Sequence, residues 1–405
     1  MKVLLTHRFF WPDTPPYATL LRAIGDQLAQ QGHRVHVFAS IPSYRADGNA
    51  APRREQLGAL SIRRVGVLRN EKSAAWRRGA NVLIYCAALF LHILRTRPDV
   101  VTASTFPPVL AGWSASLAAR ICGARFVYHL QDIHPEVSQI SGAAFGRGAI
   151  YRLLRLLDNQ TLRRASAIVT LSPDMAKTLS NRGLGPLPIR IINNLALDQF
   201  GENRAAPEHL LKPAGVCRVI FAGNLGRFQN LSKLADGIAR LFETNPQIEL
   251  FFLGDGAAQH DLKSRWGKHP QVKFAPFLPF DQARDLIAGA DVGLVSLERG
   301  IYRVAYPSKL LTYLGLGVPV LALVEPESHL ARDLVASSVG VVPDTDHPER
   351  IAQALARLIA ARPERRTVLK AHDRLANRDE ILATWCHLIA SLDTGAGLHP
   401  APETS

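Results

Sequence analysis

Arg218-Val219-Ile220-Phe221-Ala222-Gly223-Asn224-Leu225-Gly226-Arg227 is the stretch on which the fold turns. Its first five residues read as a strand, and the glycines and cation that follow read as a turn into a helix over Leu231–Phe242. The pattern then repeats: strand Ile248–Leu253 runs into Gly254-Asp255-Gly256 and a helix over Ala257–Trp266. The series continues with strand Val272–Phe274, helix Asp281–Ala288, strand Val292–Leu297, helix Ser308–Leu316, strands Val318–Leu323 and Val339–Val342, and helix Pro348–Ala361. Strands separated by helices predict a parallel sheet covered on both faces.

The same alternation precedes it. Strand Val3–Leu5 leads through a proline-rich loop, Trp11–Pro16, to a helix with Leu20, Leu21, Ile24 and Leu28 on one face, stopped at Gly32. Further strands fall at Val35–Ala39, Val100–Ala103, Arg125–His129 and Ala167–Leu171. The expected fold class is therefore α/β, with two Rossmann-like doubly wound parallel-sheet domains, residues 1–195 and 216–378. A linker at 196–215 joins them, and a terminal helix with its tail occupies 379–405. Ligands bind at the carboxyl ends of such strands, so two domains facing each other would hold substrate in a cleft.

The chain has 405 residues with 48 Lys and Arg against 34 Asp and Glu, a formal charge of +14, distributed unevenly. Residues 1–200 hold 25 basic and 11 acidic side chains, whereas residues 201–405 hold 23 of each. A hydrophobic content of 47% excludes disorder and collagen-like classes. The four cysteines, Cys86, Cys122, Cys217 and Cys386, are too dispersed for a redox or zinc motif, and a reducing compartment is expected. No signal peptide is read at the start, and the longest apolar run, Val82–Leu94, is shorter than the ~20 residues of a membrane span, so no transmembrane helix is expected.

The glycines after each strand suit close approach of backbone amides to a nucleotide or phosphate, or simply a tight turn. Arg227 has the charge to neutralise a diphosphate. Tyr306-Pro307-Ser308-Lys309 opens a helix, with Ser308 read as its N-cap. Lys309 opposes the helix macrodipole there, which is useful where an anion docks. Asp344-Thr345-Asp346 resembles a D-x-D metal motif, but Pro348 just behind it makes helix capping the simpler account. Tyr128–Glu136 places two carboxylates, Asp132 and Glu136, and two imidazoles at a strand's carboxyl end, a pattern that suits site chemistry. P-loop, α/β-hydrolase and zincin signatures are absent.

Two stretches combine apolar and basic residues in a manner suited to a membrane interface. In Trp76–Arg97 the apolar run is flanked by Arg77, Arg78, Arg95 and Arg97. In Tyr151–Arg164, Leu153, Leu154, Leu156, Leu157 and Leu162 alternate with Arg152, Arg155, Arg163 and Arg164. The alternative is a pair of ordinary crossover helices with arginines on their wet faces.

At these residues the chain resembles the GT-B fold glycosyltransferases of retaining family 4, nearest to the bacterial branch that builds capsule, O-antigen and exopolysaccharide units on a lipid diphosphate. The resemblance rests on Gly223-Asn224-Leu225-Gly226 with Gln229 and Leu231, Gly254-Asp255-Gly256, Pro307-Ser308-Lys309 with Tyr313-Leu314, Gly317-Val318-Pro319-Val320, and Asp132 with Pro135-Glu136. It implies that the second domain holds a UDP-sugar and the first a polyprenyl-diphosphate-linked glycan acceptor. Arg227 and Lys309 would stabilise the departing diphosphate, and Asp132 would stand near the sugar. Gly223, Asn224, Gly226, Gly254, Gly256, Ser308 and Thr312 would line the donor pocket, with Pro16, Tyr17 and Glu136 on the acceptor side. The mechanism implied retains configuration and needs neither metal nor cofactor. Where much of the family has two glutamates, this chain has Val304 and Thr312; where it has histidine-aspartate, this chain has Gln131-Asp132; and Pro15-Pro16-Tyr17 replaces the usual glycine pair.

The expected partners are thus a UDP-sugar, the lipid-linked glycan and an anionic membrane surface, with no nucleic acid. The expected location is cytoplasmic, peripheral to the inner face of the membrane. The rival readings are a UDP-sugar epimerase of the same architecture and a non-catalytic nucleotide-sugar-binding protein of an assembly complex.

Overall fold

The computed structural model describes residues 1–13, 16–42, 51–68, 74–142, 145–196, 205–226 and 229–393, without the side chains of Pro16 and Ala75. The chain divides into two compact units. Unit one comprises Met1–Asn194, Val304–Tyr306 and Arg378–Ser405, and unit two comprises Leu195–Arg303 and Pro307–Asn377.

Unit one runs β1 (Lys2–Thr6), α1 (Pro16–Gln30), β2 (Arg34–Ser40), β3 (Arg54–Leu57), β4 (Leu60–Val65), α2 (Ala75–Thr96), β5 (Val100–Ser104) and α3 (Leu110–Cys122). It continues with β6 (Arg125–His129), α4 (Glu136–Ile140), α5 (Gly148–Arg164), β7 (Ala167–Thr170), α6 (Pro173–Ser180) and β8 (Ile189–Ile191). The sheet order is β3-β4-β2-β1-β5-β6-β7-β8, and among the described residues only the β3–β4 hairpin is antiparallel. That hairpin escapes the sequence reading because Arg53-Arg54-Glu55-Gln56 has no apolar alternation, and Gly58 at φ +56 makes the turn. Leu20, Leu21, Ile24 and Leu28 are all buried, as the α1 stripe requires. Pro16, the end of the proline-rich loop in the sequence reading, instead opens the first turn of α1 with Tyr17 and Ala18, since proline at a helix start is pre-organised for it.

Unit two runs β9 (Cys217–Ala222), α7 (Leu231–Ala239), β10 (Ile248–Leu253), α8 (Gln259–Trp266), β11 (Val272–Ala275), α9 (Phe280–Ala288) and β12 (Val292–Ser296). Then come α10 (Ser308–Gly315), β13 (Val320–Leu323), α11 (His329–Ala336), β14 (Gly340–Val341), α12 (Pro348–Ala361) and α13 (Arg365–Ala376). The order β11-β10-β9-β12-β13-β14 is parallel throughout. Its core joins Phe221, Leu250, Phe252 and Leu294 of the sheet to Leu234 and Ile238 of α7 and Ile351 and Leu355 of α12. Gly237 lets α7 approach α12 closely, since a Cβ there would lie 2.4 Å from that of Ile351. The last helix, α14 (Arg378–Ser391), packs on α1 and belongs to unit one.

The helix α2 is longer than its apolar run. Its Trp76–Thr96 segment is long and apolar enough to cross a membrane by length and composition, because Ala75–Ala80 extend the helix ahead of the apolar run. The stripe Asn81, Tyr85, Leu89 and Ile93 is nevertheless fully buried, and Tyr85 packs on Phe38 of the sheet.

Candidate functional site

In unit two the chain winds outward from β9 through β10 to β11, then returns to β12 on the other side of β9. The carboxyl ends of β9 and β12 therefore form the switch point at which doubly wound sheets bind ligands. Lys309, from the first turn of α10, reaches this place. Its Nζ lies 3.4 Å from the centroid of the Phe221 ring on β9 and has no hydrogen-bond partner among the described residues, although that atom is buried. Desolvation lowers its pKa to about 7. A lone buried ammonium over an aromatic face gains cation–π attraction, but no counter-charge among the described residues offsets its lost hydration.

Tyr313, one turn later on α10, fixes that helix to the sheet. Its hydroxyl accepts the Ala222 amide at 2.8 Å, and its ring lies where a Cβ on Gly293 of β12 would come within 2.6 Å. Ser308 is not the N-cap expected from sequence. Pro307 takes that position in extended geometry, so Ser308 is the first helical residue and its side chain makes no capping bond. Thr312 is buried, and its hydroxyl turns back to the Ser308 carbonyl at 3.5 Å.

The two glycine loops leave adjacent strand ends, since Ala222 and Leu253 are register partners. They interlock: Leu225 N donates to Asp255 O and Ala258 N to Leu225 O, both at 2.9 Å. The Asp255 carboxylate accepts the Phe277 amide at 3.1 Å and Gln259 Nε2 at 2.9 Å. A Cβ on Gly256 would sit 2.4 Å from Leu225 O and 2.7 Å from the Asn224 side chain. Close packing of loop on loop therefore accounts for Gly254 and Gly256, and the exposed Asn224 and the Gly226 amide, which donates to Gln229 Oε1 at 3.0 Å, stand at its rim. Arg227 lies outside the described residues.

Asp344 and Asp346 do not cap α12. His347 occupies the cap position, Asp346 pairs with Lys233, and Asp344 lies 3.7 Å from Arg350.

In unit one the switch point falls between β1 and β5. His7 follows β1, Phe106 follows β5 and His129 ends β6, with His7 and Phe106 ring centroids 6.2 Å apart. Tyr17 packs on His7 at 4.5 Å and bonds His129 Nδ1 at 3.0 Å. Gln131 and Asn194 pair their amides reciprocally, at 3.2 and 2.8 Å, which turns Gln131 Nε2 toward His129 Nε2 at 2.9 Å. An amide nitrogen donates, so His129 Nε2 accepts and its Nδ1–H donates to Tyr17 Oη. Burial holds His7 at about 4 and His129 at about 3, so both imidazoles are neutral. Trp385 of α14 packs on His129, ring centroids 4.8 Å apart and tilted by 53°. These neighbours, His7 and Trp385 above all, are missed by motif reading. The signal was present for His7, a polar residue directly after the first strand.

Asp132 is half-buried and pairs as an isolated antiparallel bridge with Ala305, while the Ile133 amide donates to Val304 O at 2.7 Å. Val304 thus serves unit one by backbone pairing. No cation pairs with the Asp132 carboxylate among the described residues, and burial pushes its pKa up to about 6.

Glu136, expected on the acceptor side, is instead held by both oxygens: Arg182 Nε and Nη2 approach at 3.0 and 2.7 Å. Arg182 also donates to Asp158 at 2.5 Å and to the His134 carbonyl at 2.9 Å, and Tyr128 donates to Asp158 at 2.9 Å. With Arg182 and Asp158 side chains only 1% and 0% exposed, this is a buried charge network. Replacing Arg182 by Met strands two carboxylates; an unfolding free energy lower by about 3–5 kcal/mol is expected in urea titration.

Two units of this topology define a GT-B protein, and residues 17–194 match the family model of the glycosyl transferase 4-like domain. The chain is 27% identical over 300 residues to the probable glycosyltransferase WbjE of Pseudomonas aeruginosa, covering 72% of this chain and 73% of that one. It is 22% identical over 403 residues to WcaI of Escherichia coli K12, described as a colanic acid biosynthesis glycosyl transferase, covering 94% and 98%. Among solved structures, sucrose-phosphate synthase from Thermosynechococcus elongatus superposes with a TM-score of 0.76 at 14% identity, covering 98% of this chain and 100% of that one. Anabaena HepE in complex with UDP-glucose superposes with a TM-score of 0.66 at 17% identity, covering 96% and 100%. These matches support a glycosyltransferase.

Proposed function

We propose that the protein transfers a sugar, an N-acetylhexosamine or a related one, from a UDP-sugar to a polyprenyl-diphosphate-linked glycan with retention of configuration. The observation that carries this reading is the unpartnered Lys309 ammonium at the switch point of unit two. A diphosphate arriving there supplies the missing counter-charge, restores the ordinary lysine pKa and is stabilised as it leaves the sugar. HepE, which shares the fold, is recorded with UDP-glucose, in keeping with such a donor. The first turn of α10 adds neutral amide donors, and no strong protein nucleophile is required when the leaving phosphate takes the acceptor proton.

Asp132 is assigned to the sugar and acceptor hydroxyl as a carboxylate. Its raised pKa of about 6 means that it is charged above that pH and protonated below it. The rate should fall as pH drops through about 6, and Asp132→Asn should remove that limb while slowing transfer roughly 100-fold. A pH profile of kcat/KM for both proteins checks this. The reading as a whole is tested by incubating the protein with labelled UDP-sugars and bacterial membrane lipids. A labelled lipid-linked product supports it, and a free epimerised sugar or UDP without that product overturns it.

Unit one supplies the membrane side of the proposal. α3 packs against both α2 and α5, and the three leave Trp76, Leu83, Leu91, Ile121, Ile150, Leu153 and Leu156 exposed. Arg78, Arg95, Arg97, Arg147, Arg152 and Arg163 are exposed on the same helices or just beside them. Such a face suits the cytoplasmic surface of an anionic bilayer. The protein should float with phosphatidylglycerol vesicles at low salt, and Leu83→Glu with Leu153→Glu should leave it at the bottom of the gradient.

A further inference from the structure

The outer strands of unit one carry a second cationic site, away from both strand-end clusters. Strand register places His36 beside Ser61 and Ser61 beside Gln56, while Phe38 pairs with Arg63 and Arg63 with Arg54. Residues two apart share a face, so His36, Ser61, Gln56, Arg63 and Arg54 stand together. They stand on the side that Phe38 presents to α2, where His92 stacks on Phe38 at 4.8 Å. The opposite face is apolar, with Val35, Val37, Leu60 and Ile62 buried. Between β2, β3, β4 and His92 lies a pocket of about 460 Å³.

Its electrostatics are unbalanced. Arg54 and Arg63 are direct cross-strand partners, an arrangement of like charges that destabilises a sheet. Neither has an ion pair among the described residues. The carboxylate of Glu55, which also lines the pocket, is taken by Arg64 at 2.6 Å. Lys2, Arg34 and Arg95 add to the positive field around the two imidazoles. His36 Nε2 is buried without a hydrogen-bond partner among the described residues. The pocket thus offers two guanidinium forks, two imidazoles, a hydroxyl and an amide, with no uncommitted carboxylate among its described lining residues.

We propose that this pocket binds a phosphate group, as a monoester or diphosphate, at Arg54 and Arg63 with His36 and His92 completing the donor set. Guanidinium forks match phosphate oxygens bidentately, and the volume leaves room for part of an ester substituent. The phosphate comes either from a soluble ester or from a lipid headgroup, for Leu91 of the exposed apolar stripe directly precedes His92.

The test follows the His36 and His92 imidazole resonances of the full chain by NMR. Inorganic phosphate is titrated against chloride at equal ionic strength, and vesicles of phosphatidylcholine with and without phosphatidic acid are then added. Saturable shifts of both imidazoles with phosphate, weakened at least tenfold in Arg54→Ala/Arg63→Ala, are expected; both side chains are exposed, so the fold should persist. Shifts with phosphatidic acid vesicles alone assign the site to a lipid headgroup, and shifts with inorganic phosphate assign it to a soluble ester. Resonances unmoved by either probe, or moved equally in the double variant, overturn the proposal. Donor binding in unit two does not enter the readout.

Discussion

Lys309→Met is expected to abolish UDP binding and at the same time to stabilise the ligand-free protein. The sign follows from linkage. Burial lowers the folded-state pKa to about 7 from the ordinary 10.5, so between those values the unfolded chain binds more protons than the folded one. The destabilisation is complete below about pH 7 and disappears as pH rises toward 10.5. Methionine fills similar volume without charge and should raise stability near neutral pH by a few kcal/mol, about 1.4 for each pKa unit removed, less the lost attraction to Phe221. Calorimetric UDP titration and thermal melts at pH 7 and pH 9.5 check both halves. Undiminished UDP binding would sink the diphosphate assignment, and an unchanged melting temperature at pH 7 would sink the account of Lys309 as a desolvated charge.

Gly254→Ala should be the most damaging single methyl in unit two. Gly254 sits at φ +134, where side chains are strained, and a Cβ there would lie 2.1 Å from the Gly223 carbonyl oxygen. The two loops must part to admit it, so a loss above about 3 kcal/mol, together with loss of UDP binding, is expected. Gly223→Ala is the control. Its φ is +115, but the added methyl meets nothing within 4 Å, so only the backbone strain of about 1–2 kcal/mol remains. Urea unfolding of the two variants separates packing from strain; equal losses would mean that the interlocked loops contribute nothing beyond glycine's conformational freedom.

Much of the fold was legible in the residues. The alternation of apolar strands and striped helices predicted both sheets, and the glycines after Ala222 and Leu253 marked the turns at adjacent strand ends. The β3–β4 hairpin was not legible, because its strands lie at a sheet edge and carry arginines on an exposed face. Among site residues, Lys309 was singled out by its place at a helix start, whereas Ser308 was misplaced by one position because proline suits either the cap or the first turn. Glu136 lay in a motif that reads as chemistry, yet a distant arginine, Arg182, takes both its oxygens.

What the sequence determined by itself was local: which segments are strands and helices, which turns need glycine, and that all of the surplus charge lies in residues 1–200. These follow from periodicity and backbone sterics, which act over a few residues. Tertiary structure alone decided which charges are answered. It buries Lys309 without a partner and surrounds Glu136 and Asp158 with Arg182, while Arg54 and Arg63 are set side by side across two strands. Solvation and Coulomb energy depend on distance in space, and residues that are dozens apart along the chain become neighbours only when the sheets close.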